Sequence, residues 1–341
     1  MGKDLTVAVR DFIALDNHVN EYQKHGLAPS TRRVYDECWQ QFVNFLVPLD
    51  AWRAQPMDVA RWLAEQALRG VNPLTIEHRC GALTYYYEKL GKGAARGRYG
   101  VGIRESPVRD LIVQQTLKGI FRKHGRPPDR KQPLMLDTLG QMIDYQPTNL
   151  FGLRNRVMLI VGWGAALRVS EITMLDATPR GGGGNGWVDI SDEGLVVHLR
   201  RSKRNQNSRR LEHFAIPARR NAPHHCPVQL LRAWLRESGI KKGPLFPCVG
   251  RRSKKPGRER LSHRCVRHML KATVKKFGID PKQISGHSLR SGCLSWLDQQ
   301  HVPVHQIRAQ AGHKNVQSVL PYLRGPIRIE DSALAETKWV G

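Results

Sequence analysis

The chain has 341 residues, enough for about two domains of the usual ~150 residues, and 55 Lys and Arg against 29 Asp and Glu leave a formal charge of +26. Such an excess calls for a polyanionic partner, and with 40% hydrophobic residues and eight Trp it belongs to packed domains rather than to a disordered basic tail. The longest nearly apolar stretch, Val157 to Leu167, is well short of the ~20 residues a bilayer requires, so it reads as a buried helix and no membrane partner is expected.

The opening Met-Gly-Lys-Asp-Leu-Thr has no apolar signal core, which leads to the expectation of a cytoplasmic protein, nucleoid-associated in a bacterium. Gly2 with Thr6 fits a myristoylation pattern too short to carry weight. The six cysteines form no C-x-x-C pair and read as buried free thiols. His224, His225 and Cys226 with Cys248 and His263 match no common zinc framework.

The first part of the chain reads as helices alone. Ser30 is placed to cap a helix whose apolar face runs Tyr35, Cys38, Trp39, Phe42, Phe45 and Leu46. A second helix spans about Met57 to Leu68 with Trp62, Leu63 and Ala67 inward, and Gly70 closes it. Asn72 and Pro73 form a cap and first-position pair for a third, carrying Ile76, Cys80, Leu83, Tyr87 and Leu90. Ser106 and Pro107 repeat that signature for a fourth helix, to about His124. The run Gly125 to Pro133, rich in proline and charge, reads as an extended, mobile linker that would let the protein clamp its partner.

Beyond the linker, helices are expected to about Leu175, then a flexible glycine-rich connection at Gly181 to Gly186. Three strands follow, Trp187 to Ser191, Leu195 to Arg201 and Leu211 to Ile216. Their alternation suits a small antiparallel sheet with a polar turn at Arg204 to Ser208, and the remainder reads as helical. The glycine run lacks the ending of a P-loop and precedes a strand instead of following one, so it is no phosphate cradle.

Three separated segments carry residues suited to an anionic site: Ala166-Leu-Arg168-Val-Ser-Glu171, Gly286-His287-Ser-Leu-Arg290-Ser-Gly292, and Ala311-Gly-His313 with Pro321-Tyr322 nine positions further on. Taken singly, each fits an ordinary salt bridge, a satisfied histidine or a core tyrosine. As an ordered set they resemble the tyrosine recombinase (phage integrase) family over both domains, with a layout most similar to its Cre-like members. The resemblance matches Leu167-Arg168-Val-Ser-Glu171 to the family's first-arginine helix, His287-Ser-Leu-Arg290 to its His-x-x-Arg motif, and Gly312-His313 with Tyr322 to its nucleophile segment. Lys203 matches the hairpin lysine, although Arg204, Arg209 and Arg210 crowd the same turn.

The family implies a helical, SAM-like core-DNA-binding domain over 1–124, a linker over 125–133, a mostly helical α+β catalytic domain over 134–325, and a C-terminal helix over 326–341. It implies a site-specific recombinase acting through a 3′-phosphotyrosyl intermediate and a Holliday junction, as a homotetramer on two duplexes with inverted-repeat sites. Arg168 and Arg290 would neutralise the non-bridging phosphate oxygens, work that two guanidinium forks do well. Tyr322 would be the nucleophile, storing the bond energy as a phosphotyrosine. His287 would assist proton transfer or hold a phosphate oxygen, His313 would donate to another, and Lys203 would protonate the departing 5′ oxygen. Glu171 would orient the site from behind Arg168. No cofactor is implied, and no carboxylate cluster in the sequence suggests a required magnesium.

Further DNA contacts are expected at a helix capped by Ser262, with Arg264 reading bases in the major groove and Arg267 beside it. Arg32, Arg33 and Arg79 are phosphate-contact candidates in the first domain. The run Arg251 to Lys255, continued by Arg258 and Arg260, fits DNA contact or a solvated loop. The amphipathic Asp331 to Trp339 can dock on a neighbouring subunit or pack in cis, and the segment before Pro29 is short for an accessory arm-binding domain. A type IB topoisomerase shares the tyrosine chemistry, and a DNA-binding regulator with an inactive site is the alternative outside enzymes.

Overall fold

The structure, a computed structural model, describes residues 15, 17–19, 21–22, 26–90, 106–127, 130–179, 183–200, 211–313 and 315–323. The chain divides into two compact units, residues 1–128 and 129–341, with the division inside the Gly125 to Pro133 run.

In the first unit the helices are α1 (Pro29–Leu46), α2 (Pro56–Leu68), α3 (Pro73–Tyr85), which runs on as one π-helical turn to Leu90, and α4 (Leu111–His124). Two of the expected caps move. Ser30 lies inside α1, because Pro29 occupies the first helical position, where its preset φ starts the helix without a side-chain cap. Ser106 precedes only a 3₁₀ turn, Pro107–Arg109, and α4 begins after Asp110, whose carboxylate accepts from the Ile112 N–H at 2.9 Å. Asn72 caps α3 as expected, accepting from the Leu74 N–H. Phe42, Trp62, Leu63, Ile76, Leu83 and Val113 bring all four helices to one core. At its edge Trp39 stacks on Tyr86, with centroids 4.5 Å apart and planes 3° from parallel.

The second unit begins with α5 (Leu136–Asp144) and α6 (Leu150–Gly164). The apolar Val157 to Leu167 stretch supplies the C-terminal half of α6, buried between α5, α8 (Pro227–Ser238) and α10 (Ser288–Gln299). A short α7 (Val169–Thr173) leads into a four-stranded sheet of β1 (Leu175–Asp176), β2 (Gly186–Ile190), β3 (Gly194–Leu199) and β4 (Glu212–Pro217), in that order. The sheet is mixed where an antiparallel one was expected, because β1 pairs parallel to β2 while β2–β3 and β3–β4 are antiparallel. Two residues are too few to show alternation, and β1 is held by tertiary contacts. Arg260 donates to the Leu175 carbonyl at 2.9 Å and pairs with Asp176 at 2.5 Å, which removes Arg260 from the solvated charge run.

The alternation read in β3 and β4 puts Leu195, Val197, Leu199, Phe214 and Ile216 into the core. The polar turn after β3 and Lys203 within it lie outside the described residues. Among the described residues α9 (His263–Val274), α10 and α11 (Val304–Gln310) follow, then 3₁₀ turns at Val316–Ser318 and Leu320–Tyr322, and the expected C-terminal helix over 326–341 lies outside them. No described helix is long and apolar enough to cross a membrane. All six cysteines are free; Cys38, Cys80, Cys226 and Cys293 are buried as expected, but Cys248 and Cys265 are exposed, one on a loop and one on the outer side of α9.

Candidate active site

Each of the three segments reaches the site by a local backbone device. After α6, Ala166 takes a left-handed φ of 47°, and the reversed chain makes Arg168 the residue that precedes α7 instead of a mid-helix position. Glu171, 5% exposed, holds Arg168 twice, accepting from its main-chain N–H at 2.8 Å and from Nη1 at 2.6 Å. A carboxylate that caps the helix and pairs with the guanidinium fixes the direction of the arginine.

Arg290 stands on the first turn of α10 and is 2% exposed. Its Nη1 donates to the Ala166 carbonyl at 2.6 Å and its Nη2 donates to the Ala311 carbonyl. Two of its five donors thereby tie the turn before Arg168 to the turn before His313. Gly292 lets α10 lie against the Leu134 backbone, since a Cβ there would sit 1.8 Å from the Leu134 oxygen. At the N-terminal end of the helix, His287 has an exposed side chain and its main-chain N–H donates to Ser285 Oγ.

Gly312, at φ +59°, turns the chain out of α11 and carries His313 into the interior. The His313 and Tyr322 rings meet edge to face, with centroids 6.0 Å apart. Tyr322 is half-buried on the last 3₁₀ turn, and its carbonyl accepts from Ser295 Oγ at 3.1 Å. Helix α10 therefore carries both Arg290 and the hydroxyl that holds the Tyr322 backbone.

Two adjoining cavities border Arg168, His287 and Tyr322, while the buried Arg290 and His313 line neither. One of about 900 Å³ is lined by Arg168, Arg267, Lys271, Lys282 and His287; the other, of about 470 Å³, is lined by Arg130, His287, Ser295 and Tyr322. Lys131, Ser285 and His287 border both. Asp280 is the one carboxylate among the described lining residues, so the cleft is strongly cationic and suits a phosphodiester backbone. Burial first, and the Arg267 charge second, hold His263 on the cleft wall below the usual imidazole range. Among the described residues no three His, Cys, Asp or Glu side chains form a metal site, and His225 of the His224–Cys226 group pairs with Asp144.

The remaining candidates are spread more widely. Ser262 caps α9, accepting from the Cys265 N–H, and Arg264 is exposed on its first turn, while Arg267 lines the cleft. In the first unit Arg33 is exposed and Arg32 half-buried at the start of α1, whereas Arg79 donates to Gln66 Oε1. Sequence reasoning missed Lys131, Lys282 and Ser295. Lys131 stood inside the supposed linker, and Ser295, five positions after Arg290, had no pattern to mark it.

Residues 133–325, more than half the chain, match the profile of the Phage integrase family. An integrase/recombinase XerD homologue from Selenomonas ruminantium is 27% identical over 236 residues, covering 69% of this chain and 66% of that protein. The tyrosine recombinase XerC of Chromohalobacter salexigens is 23% identical over 325 residues, 91% of this chain and 90% of its own. Among solved structures, the Tn1549 transposon integrase (residues 82–397) in complex with circular intermediate DNA superposes with a TM-score of 0.60 at 16% identity, covering 93% of this chain and 96% of that one. The lambda integrase (75–356) dimer bound to a COC′ core site gives 0.59 at 15% identity, with the same coverage. At these identities the two structures speak for a shared fold.

Proposed function

The chain belongs to the phage integrase family of tyrosine recombinases, and on that premise we propose that it cuts and rejoins DNA at specific sites through a covalent bond between Tyr322 and a 3′ phosphate. The observation that carries this reading is the pair of hydrogen bonds from Arg290 to the Ala166 and Ala311 carbonyls, which ties the turns of Arg168 and His313 together beside cationic cavities lined by Arg168, His287 and Tyr322.

In the proposed reaction the Tyr322 oxygen forms a bond to phosphorus as the bond to the 5′ oxygen breaks. Arg168 and Arg290 neutralise the charge on the non-bridging oxygens, and Glu171 keeps Arg168 aimed. His287, exposed on the cleft, receives the phenolic proton or holds a phosphate oxygen, and His313 donates to another. Lys203 gives its proton to the leaving 5′ oxygen. Attack by the 5′ hydroxyl of a second strand reverses the step, regenerates the tyrosine and needs no ATP.

Exchange between two duplexes passes through a Holliday junction and engages a homotetramer on inverted-repeat sites, with residues 326–341 passing to a neighbouring subunit. Arg264 would read a base edge in the major groove, and Arg32, Arg33 and Arg79 would contact phosphates. A cytoplasmic, nucleoid-associated protein fits that substrate.

The deciding experiment is Tyr322→Phe with a nicked suicide substrate on a denaturing gel. The variant loses one oxygen and little surface, so it is expected to bind DNA as the wild type does and to form no covalent adduct. A persistent 3′-linked adduct in the variant would overturn the assignment.

A further inference from the structure

Helix α7 has only five residues, too few for a helix to hold itself by its own hydrogen bonds, so both of its ends depend on partners. Glu171 fixes the first end by accepting from the Arg168 main chain and side chain. The other end is held from 87 positions further along the chain. Arg260 Nη1 donates to the Thr173 carbonyl at 3.1 Å and to the Leu175 carbonyl at 2.9 Å, which supplies a donor to carbonyls that the end of the helix leaves open.

A second layer fixes Arg260 itself. Its Nη2 pairs with Asp176 Oδ1 at 2.5 Å, and Asp176, 1% exposed, accepts from the Gly184 N–H at 2.7 Å through Oδ2. A Cβ on Gly184 would sit 2.5 Å from that oxygen and 2.5 Å from the Met174 carbonyl oxygen, so the glycine run that cradles no phosphate ends in the residue that lets the main chain close on Asp176. The Asp176 charge thus holds the guanidinium against the end of α7.

We propose that Arg260 is a positioning residue for Arg168. By clamping the last turn of α7, with Asp176 behind it, Arg260 fixes where the helix begins and so where the Arg168 guanidinium points. It touches no reacting atom. With one end released, so short a helix can turn or unwind, and the arginine at its other end moves with it. The inference rests on the proposed role of Arg168 in neutralising a non-bridging phosphate oxygen.

A buried ion pair can be exchanged for apolar residues of similar volume with little loss of stability, whereas removal of one partner strands a buried charge. The test therefore uses the full-length protein carrying Arg260→Met together with Asp176→Leu, and separately Arg260→Lys, which keeps the charge but not the fork. Single-turnover cleavage is measured at saturating protein on a nicked suicide duplex with an ordinary scissile phosphate, and on one with a methylphosphonate at that position. A methyl group in place of one non-bridging oxygen removes the charge that Arg168 neutralises, so a misdirected arginine matters less there.

On the ordinary phosphate the double variant is expected to be slower by about 10²-fold, the penalty for a group displaced by about 1 Å, and Arg260→Lys by less. On the methylphosphonate both deficits are expected to shrink, as that of Arg168→Ala does, while that of Lys203→Ala persists. Wild-type rates for the double variant would overturn the proposal. Equal deficits on the two substrates would overturn it as well, since a loosened fold slows both alike. If urea titration shows the double variant unfolded, the ratio of the two deficits in Arg260→Lys decides in the same way. A wild type that forms no Tyr322 adduct would overturn the recombinase reading together with this inference, whereas a cleaving wild type beside variants with equal deficits overturns the inference alone.

Discussion

Arg290 reaches across 124 positions of the chain to donate from Nη1 to the main-chain oxygen of Ala166 at 2.6 Å. Its other terminal nitrogen donates to Ala311, so one buried side chain sets the spacing between the Arg168 and His313 turns. The guanidinium is a structural bolt as well as a candidate phosphate ligand, and substitution should affect stability and chemistry together.

Arg290→Ala leaves two buried carbonyls without their donor, at about 1–3 kcal/mol each. The urea midpoint is expected to fall accordingly and adduct formation to disappear. Arg290→Lys can restore one of the two bonds and should fall between the wild type and the alanine variant. An unchanged midpoint for Arg290→Ala would show that the carbonyls find other donors.

Ser295 holds the Tyr322 backbone by a single hydrogen bond. A bond of that kind is worth about 0.5–1.5 kcal/mol net. If it is used to position the nucleophile, Ser295→Ala should slow single-turnover cleavage by up to about tenfold without changing DNA affinity. Ser295→Thr retains the hydroxyl and should recover most of the rate. Equal rates for Ser295→Ala and the wild type would separate this bond from catalysis.

Lys203 can be tested by chemistry at the leaving group. Lys203→Ala is expected to cleave ordinary DNA more slowly by a factor on the order of 10²–10⁴, the range for a general acid. With sulfur in place of the bridging 5′ oxygen the acid is superfluous, and the variant should cleave nearly as fast as the wild type. Arg168→Ala loses charge stabilisation and should not be rescued. An Arg204 or Arg209 acid is disfavoured because a guanidinium holds its proton. A Lys203→Ala variant that stays slow on the sulfur substrate would exclude Lys203.

Removal of the residues after Gly325 is expected to spare binding to one site and to weaken cooperative binding on two-site DNA, as read by gel-shift titration. Unchanged cooperativity would assign the segment to its own subunit.

Helical periodicity already placed Phe42, Trp62, Ile76 and Leu83 in the first core, and alternation put Leu195, Val197 and Leu199 on the inner face of the sheet. Both patterns are local, since a side chain's direction repeats every 3.6 residues in a helix and every two in a strand. The spacings Arg168 to Glu171 and His287 to Arg290 were legible for the same reason, as each pair lies within one turn. The partners of Arg290 were not, because main-chain carbonyls carry no residue identity and these two become acceptors only where α10 meets two distant turns. Strand β1 and the bond from Ser295 to Tyr322 share that origin. A sequence orders chemical groups along a line, and which backbone oxygen or helix flank faces them is decided only when the packed elements meet.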